Sequence, residues 1–299
     1  MTKRVIALFG PTAAGKSAVA GLLREPLGAE VVSADSAALY AGLPVLTAAP
    51  PYPARLVGTV PLDRNVSVGE YQRWAHAAVD EILDANAIAV VAGGTGLYFR
   101  AALSRLEIPP PPSPERRAHW QCVYDREGPE AAHALLAERD PAAAARVHAN
   151  DRKRVIRALE LAEAGESLAP VNDTLWTAEA RHPTLIVTLD LPLEELDRRI
   201  EERTQAMAAD GAVDEARRAW GRPLSDTARK VLGLEQFATL SLQEAVAEVA
   251  RATKRLARYQ RKWLRNLRGA VRLDGNRPAE EIADEIIALG RTGEHLSGH

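Results

Sequence analysis

The sequence predicts an α/β fold in which a parallel sheet is interrupted by a mostly helical insertion. Short apolar runs alternate with helically spaced segments over roughly the first hundred residues. Four prolines at 109–112 then precede a segment rich in Ala, Arg and Glu, with apolar residues three to four positions apart. Strand-like composition returns at 184–190. Alternating strands and helices imply a parallel sheet with both faces covered.

The elements follow from these runs in chain order. Strands are predicted where apolar residues are continuous, at 5–9, 30–33, 88–92, 184–190 and, last, 270–273. Helices are predicted where apolar spacing is three to four, at 17–23, 68–86, 193–207 and 244–267. Because four consecutive prolines cannot continue a helix or a central strand, we predict a core domain of 1–112 and 182–299. The helical insertion is then 113–181.

Composition excludes several classes of protein. The 299 residues are 46% hydrophobic, which predicts a packed core rather than disorder. A single cysteine, Cys122, allows neither an intramolecular disulfide nor a multi-cysteine zinc site. No apolar run reaches the ~18 residues of a membrane span. We therefore predict a soluble cytoplasmic protein, with a monomer as the default state.

The first predicted strand leads directly into GPTAAGKS, which has the spacing GxxxxGK[ST] of a P-loop. In such a loop, backbone N–H groups and a helix N-terminus surround a phosphate. Lys16 can reach the terminal phosphate, and Ser17 can ligate Mg²⁺. This motif specifies a P-loop NTPase-like core. The predicted phosphate or diphosphate site consists of Gly10, Pro11, Thr12, Ala13, Ala14, Gly15, Lys16 and Ser17.

Asp35 is the only carboxylate that the strand pattern places near the phosphates. It follows the strand at 30–33, at the carboxyl edge where ligands bind in parallel sheets. The strand at 88–92 ends instead in Gly93, Gly94 and Thr95. Asp35 could ligate Mg²⁺, act as a general base or cap a following helix.

Charge is distributed unevenly along the chain, although the net charge is only −2. Residues 251–272 carry nine basic side chains and no acidic one. The basic residues are Arg251, Lys254, Arg255, Arg258, Arg261, Lys262, Arg265, Arg268 and Arg272. Their spacing of three to four predicts a cationic helix face, which is either an RNA-binding surface or a solvated face.

Several motifs in one order resemble the tRNA dimethylallyltransferase (tRNA isopentenyltransferase) family over about residues 5 to 265. These are the P-loop, SADS with Leu39 and Tyr40, and GGTGLY from Gly93. The segment NDRKRVIRALE from Asn150 is similar to the family's N-D-x-x-R-V-x-R-A-L-E. Arg199 to Met207 and Thr253 to Trp263 also follow its patterns.

The resemblance implies transfer of a dimethylallyl group from dimethylallyl diphosphate to N6 of the adenosine 3′-adjacent to the anticodon, assisted by Mg²⁺. It implies catalytic roles for Asp35, Thr12 and Arg203, with Asp35 as the base that accepts the amine proton. It also implies that the insertion grips the anticodon stem-loop of tRNA. The implied tRNA contacts are Asp35, Ser36, Ala37, Ala38, Thr95, Arg117, Lys153, Arg154, Val155, Ile156, Arg157, Arg258 and Arg261.

The chain departs from the family pattern at several positions. Ala49 stands where a basic residue is usual, Gly58 where an Asp is usual, and Leu234 where a Tyr is usual. Lys262 replaces a Thr. We expect these departures to alter tRNA contacts and substrate range, and not to touch the P-loop, Asp35 or Arg203.

Three other functions share some of these features. A small-molecule or nucleotide kinase would have the same P-loop and sheet. A prenyltransferase acting on free AMP or ADP would have the same donor site, but it would not need the basic segment or the long insertion. A non-catalytic RNA-binding P-loop protein would not need Lys16 and Asp35, which are both present.

Overall fold

The computed structural model describes residues 5–109, 113–169, 179–267 and 269–292 of the chain. Three parts of the sequence-based predictions lie outside these residues. They are the prolines 110–112 of the predicted boundary, residues 170–178 of the predicted insertion, and Arg268 of the basic segment.

The sheet has six strands that all run parallel, in the order β3-β2-β4-β1-β5-β6. The strands are β1 Val5–Phe9, β2 Ala29–Ser33, β3 Ala54–Arg55, β4 Ile88–Gly93, β5 Thr184–Asp190 and β6 Val271–Asp274. This confirms the predicted parallel-sheet core. Sequence reasoning missed β3, because a two-residue strand shows no periodicity.

The chain divides into two compact units, Met1–Arg105 with Glu179–His299, and Leu106–Ala178. The predicted boundaries differ by a few residues from this division. On the return path, Ser104 bridges Ala180 and the Arg181 N–H donates to the Leu103 carbonyl at 2.8 Å. These contacts keep residues 179–181 with the sheet.

In the first unit, helices cover both faces of the sheet. They are α1 Lys16–Leu22, α2 Arg24–Leu27, α3 Val68–Asp84, α4 Gly96–Leu103, α9 Leu193–Ala209, α10 Ala212–Trp220, α11 Leu234–Thr239, α12 Leu242–Leu264 and α13 Ala279–Thr292. Every residue of β1 is buried, as its unbroken apolar run predicts. Among the helices of the described residues, none combines the length and apolar character needed to cross a membrane.

The second unit contains the helices α5 Pro114–Glu127, α6 Pro129–Arg139, α7 Pro141–Ala144 and α8 Arg152–Glu163. They enclose their own apolar core, in which Trp120, Leu136, Val155 and Leu159 are almost fully buried. Its predicted helical character is therefore present in the described part of the insertion.

Strand register brings three loops to one edge of the sheet. Phe9 of β1 lies beside Gly93 of β4, and Ser33 of β2 lies beside Ala92. All of these residues are at or next to the carboxyl ends of their strands. The loops that follow β1, β2 and β4 therefore converge, which is where parallel sheets place ligand sites.

Candidate active site

The loop after β1 has the geometry of an anion cradle. Gly15, which precedes α1, has φ of 86°, and Ala13 also has a positive φ of 65°. These left-handed conformations turn the backbone toward the loop interior. At Gly10, an added Cβ would lie 2.7 Å from the Leu189 carbonyl oxygen, so a larger residue does not fit there. The residues of the predicted P-loop thus lie between a strand and a helix, which is the context that the motif requires.

Two cations flank this loop. The Lys16 ammonium donates to the Pro11 carbonyl at 2.7 Å, and the Arg203 Nη2 donates to Thr12 Oγ1 at 2.6 Å. Burial lowers the pKa of Lys16 to about 8. The negative charge of Asp35 opposes this shift, and the positive charge of Arg203 adds to it. The buried Arg203 Nε has no hydrogen-bond partner among the described residues. An anion in the loop would satisfy that donor and restore charge balance.

A cavity of about 370 Å³ opens beside the loop and is lined by both polar and apolar side chains. The polar ones include Thr12, Lys16, Ser17, Asp35 and Arg203. The larger apolar group includes Val31, Ala38, Ala48, Ala49, Pro50, Tyr52, Ala54 and Val57. The cavity therefore suits a phosphate-containing ligand that carries a compact apolar group.

Asp35 lies two residues beyond β2 and lines this cavity. Its Oδ1 accepts the Ala37 N–H at 2.9 Å, which closes a turn of the kind that Asp often makes. Residues 36–39 form a turn and not a helix, so the structure does not support the helix-cap alternative. No described residue donates a hydrogen bond to the second carboxylate oxygen, Oδ2. Asp35 can therefore hold its turn with one oxygen and accept a ligand proton with the other.

The loop after β4 adds Thr95 to the same edge. The Ser36 N–H donates to Thr95 Oγ1 at 3.4 Å, which joins the Asp35 turn to the start of α4. Ala38, from the same turn, is only 7% exposed and lines the cavity beside the phosphate loop. The predicted residues Thr12, Asp35, Ser36 and Thr95 are thus neighbours, although they come from three separate loops.

The residues around the loop suit a magnesium ion that is held by few protein ligands. No group of three or more His, Cys, Asp or Glu that could hold a metal occurs among the described residues. Ser17 and Asp35 nevertheless line one cavity with the phosphate loop. Mg²⁺ commonly keeps several waters and binds through substrate phosphates with one or two protein oxygens. A hydroxyl and a carboxylate beside a phosphate cradle match that preference.

Sequence reasoning missed three residues of the site. The Gln260 Oε1 accepts the Thr12 N–H at 2.7 Å, from near the C-terminal end of α12. Arg199 and Tyr52 line the cavity, and the Tyr52 hydroxyl donates to the Ser17 carbonyl at 2.7 Å. Gln260 could have been found from the sequence, since it is a polar residue on the otherwise apolar helical stripe of Ala257 and Leu264. Nothing in the sequence indicates that Tyr52 lies over α1.

The basic segment on α12 is partly neutralised by acids from elsewhere in the chain. The α9 carboxylate Asp197 accepts from Arg258 at 2.7 Å, and Glu201 pairs with Lys254. Asp190, at the end of β5, binds Arg261 at 2.8 Å. By contrast, Lys262, Arg265 and Arg272 are exposed and have no ion pair among the described residues. A second cavity of about 370 Å³ is lined by Asp190, Arg258, Arg261, Lys262, Arg265 and Arg272, with Thr188, Leu193 and Leu264.

In the second unit, the predicted tRNA-contacting residues differ strongly in exposure. Val155 and Ile156 are 0% and 4% exposed and pack in its core, so their side chains are not available for the predicted RNA contacts. The apolar spacing of α8 accounts for this, because it turns both residues inward. Lys153 and Arg154 are exposed. Arg117 and Arg157 both donate to the buried carboxylate of Glu160.

One departure from the family pattern lies in the cavity beside the phosphate loop. Ala49 lines this cavity, together with Val57. The missing basic residue therefore bears on the ligand cavity as well as on tRNA contacts. Leu234 is fully buried, and Lys262 belongs to the exposed cationic group described above.

Comparisons with known proteins agree on one family. The family model for IPP transferase matches residues 38–267. A tRNA dimethylallyltransferase of Anaeromyxobacter dehalogenans is 39% identical over 282 residues, covering 90% of this chain and 94% of the relative. One from Thermomicrobium roseum is 38% identical over 308 residues, with 95% and 91% coverage. The crystal structure of a tRNA isopentenylpyrophosphate transferase from Bacillus halodurans is similar with a TM-score of 0.70 and 26% identity, covering 97% and 96%.

Proposed function

Since the chain belongs to the IPP transferase family, we propose that its phosphate loop binds dimethylallyl diphosphate and that its acceptor is N6 of the adenosine 3′-adjacent to the anticodon. The chain transfers a dimethylallyl group to tRNA. The family model begins at residue 38, after the phosphate loop and Asp35. For these residues the proposal depends on the geometry of the site.

The observation that carries the donor assignment is the mixed lining of the cavity. Lys16 and Arg203 line it beside the phosphate loop, and Val31, Tyr52 and Val57 line the same cavity. A dimethylallyl diphosphate likewise combines a charged diphosphate with a five-carbon apolar chain. The negative charge of the diphosphate would offset the cost of burying the Lys16 ammonium, and its oxygens would supply an acceptor for the Arg203 Nε.

The transfer step uses both the cations and the carboxylate of this site. The amine nitrogen forms a bond to C1 of the dimethylallyl group while the bond from C1 to the diphosphate oxygen breaks. Negative charge then grows on the leaving diphosphate, where the loop, Lys16 and Arg203 stabilise it. The attacking nitrogen must lose a proton, and the Asp35 Oδ2 is the acceptor that the cavity offers. Thr12, held by Arg203, donates its hydroxyl hydrogen to the diphosphate.

Magnesium would add charge neutralisation to the leaving diphosphate. The residues suited to hold it are Ser17, through its hydroxyl, and Asp35. If Asp35 binds the metal, its carboxylate is less basic, and this distinguishes the two roles. We favour Asp35 as the base. Its turn is hydrogen-bonded to Thr95, which is proposed to lie beside the acceptor base.

The tRNA contacts of the first unit are proposed for its exposed cations. Lys262, Arg265 and Arg272 can bind backbone phosphates without first giving up a carboxylate. Arg258 and Arg261 can contribute only by exchanging Asp197 and Asp190 for phosphate. Asp35, Ser36, Ala37, Ala38 and Thr95 would surround the acceptor base once it is flipped from its stack.

The second unit is proposed to grip the anticodon stem-loop. Lys153 and Arg154 offer exposed charge, whereas Arg117 and Arg157 are oriented by Glu160. We also propose that the protein acts as a monomer in the cytoplasm, where its tRNA substrate is found.

The test is incubation with dimethylallyl diphosphate, Mg²⁺ and unmodified tRNA, followed by mass analysis of nucleosides. We expect one adenosine per tRNA to gain a dimethylallyl group, and no product from free AMP or ADP. Products from AMP at a comparable rate would favour the free-nucleotide acceptor. Transfer of a phosphate from ATP, with no prenylated nucleoside, would favour a kinase.

A further inference from the structure

We propose that Gln260 is a positioning residue for the diphosphate loop, acting through the backbone of Thr12; this inference rests on the proposed function of that loop. Gln260 belongs to the basic helix α12, yet its side chain faces away from the cations. It is 4% exposed, and its Oε1 accepts the Thr12 N–H at 2.7 Å.

Thr12 is held from two sides by residues that are remote in sequence. Gln260 accepts its N–H, and Arg203 donates to its hydroxyl oxygen at 2.6 Å. A phosphate loop works because its backbone is set before the anion arrives. Without the Gln260 acceptor, the Thr12 N–H would lose its partner and the loop would be free to turn this donor elsewhere. Gln260 therefore fixes the orientation of one peptide unit in the cradle.

The fit around the amide is tight. A Cβ added to Gly94 would lie 2.5 Å from the Gln260 Nε2 and 3.0 Å from the Gly10 carbonyl oxygen. The amide thus lies against the loop after β4 as well as the loop after β1. One helical turn later, Trp263 packs so closely on Gly96 that an added Cβ would be 2.0 Å from its ring. The inner face of α12 therefore packs against both the diphosphate loop and the Thr95 loop and holds them at a fixed distance from each other.

This placement gives α12 two roles on opposite faces. Its exposed face carries Lys262, one of the cations proposed for tRNA, and its buried face contacts two loops of the active site. An amide at Gln260 is well suited to the inner role, because it accepts a hydrogen bond without bringing a charge close to the diphosphate. A role in packing alone would require only the volume of the side chain, and this difference can be tested.

The test compares Gln260→Met, which keeps the length of the side chain and removes the acceptor, with Gln260→Glu, which keeps the acceptor and adds a charge. The matched control is Gln243→Met, at an exposed position of the same helix. The probe is inorganic pyrophosphate with Mg²⁺, measured by calorimetry on the full chain. In parallel, KM for dimethylallyl diphosphate, kcat and the tRNA dissociation constant are measured.

For Gln260→Met we expect the pyrophosphate dissociation constant and the donor KM to rise about 10-fold, as loss of one buried acceptor would produce. The tRNA dissociation constant should stay within about twofold, and Gln243→Met should match wild type. For Gln260→Glu, affinity should recover as the pH falls and the carboxyl group becomes neutral, whereas the deficit of Gln260→Met should not depend on pH.

Wild-type pyrophosphate affinity in Gln260→Met would overturn the inference, and so would an equal, pH-independent loss in both variants. If Gln260→Met does not fold, the pH dependence of Gln260→Glu decides alone. Failure of the proposed function has a different signature. In that case wild type would form no prenylated tRNA, while pyrophosphate binding could still depend on Gln260.

Discussion

Removing three cations that have no ion pair among the described residues should weaken tRNA binding far more than removing three ion-paired cations. The first variant replaces Lys262, Arg265 and Arg272 by Gln. In a polyelectrolyte description, each phosphate contact contributes about 0.7 (single strand) to 0.9 (duplex) to the slope of log affinity against log salt. Three contacts therefore contribute about 2.1 to 2.7, if each cation meets one phosphate. Between about 50 and 200 mM salt, wild type should lose about 20- to 40-fold more affinity than the variant.

The control replaces Arg251, Lys254 and Arg258 by Gln, which changes the net charge by the same amount. These cations are already paired with Glu248, Glu201 and Asp197. The assay is fluorescence anisotropy of labelled tRNA over a salt series. We expect the slope of the control to change by less than about 1, since its cations release fewer counterions. A control slope that falls as much as that of the first variant would refute the reasoning from ion pairing.

Three further predictions concern the two units separately. Because burial lowers the pKa of Lys16 to about 8, its ammonium is present below that pH and lost above it, so pyrophosphate affinity should fall above pH about 8. Calorimetry across pH 7 to 9.5 checks this, and a flat profile would contradict it. Asp35→Asn keeps an acceptor for the Ala37 N–H but cannot take a proton, so single-turnover transfer should drop about 10²- to 10⁴-fold with pyrophosphate binding preserved. Glu160→Ala leaves Arg117 and Arg157 without their buried carboxylate and should destabilise the chain by about 3 kcal/mol in urea unfolding. An unchanged midpoint would show that the two arginines are stabilised by solvent alone.

The sheet and the phosphate loop could be predicted because their signals are local. An unbroken apolar strand, a fixed glycine spacing and a following helix each depend on neighbouring residues. The position of Asp35 followed from the same logic, since all parallel strands end at one edge. The turn that it makes with Ala37 involves only two residues and is likewise local.

The rest of the site depends on contacts between residues far apart in sequence. The charges of α12 were counted along one segment, and their carboxylate partners on α9 and β5 could not be seen there. Gln260 stands out in the sequence as a polar residue on an apolar stripe, but its partner Thr12 is 248 positions away and could not be predicted. Val155 and Ile156 show the opposite case. Their helical spacing in α8 marked them as inward-facing, but they were included in the RNA-binding set because of the family resemblance alone.

The order of the strands also bears on how the protein is synthesised. The central strand β1 pairs with β4 on one side and with β5 on the other, and β5 follows the whole second unit in sequence. A growing chain therefore leaves one edge of β1 open until about residue 190 has emerged from the ribosome. The phosphate loop is made first, but Arg203 and Gln260 reach it much later. A nascent chain should consequently bind pyrophosphate only weakly until almost all of α12 has been translated.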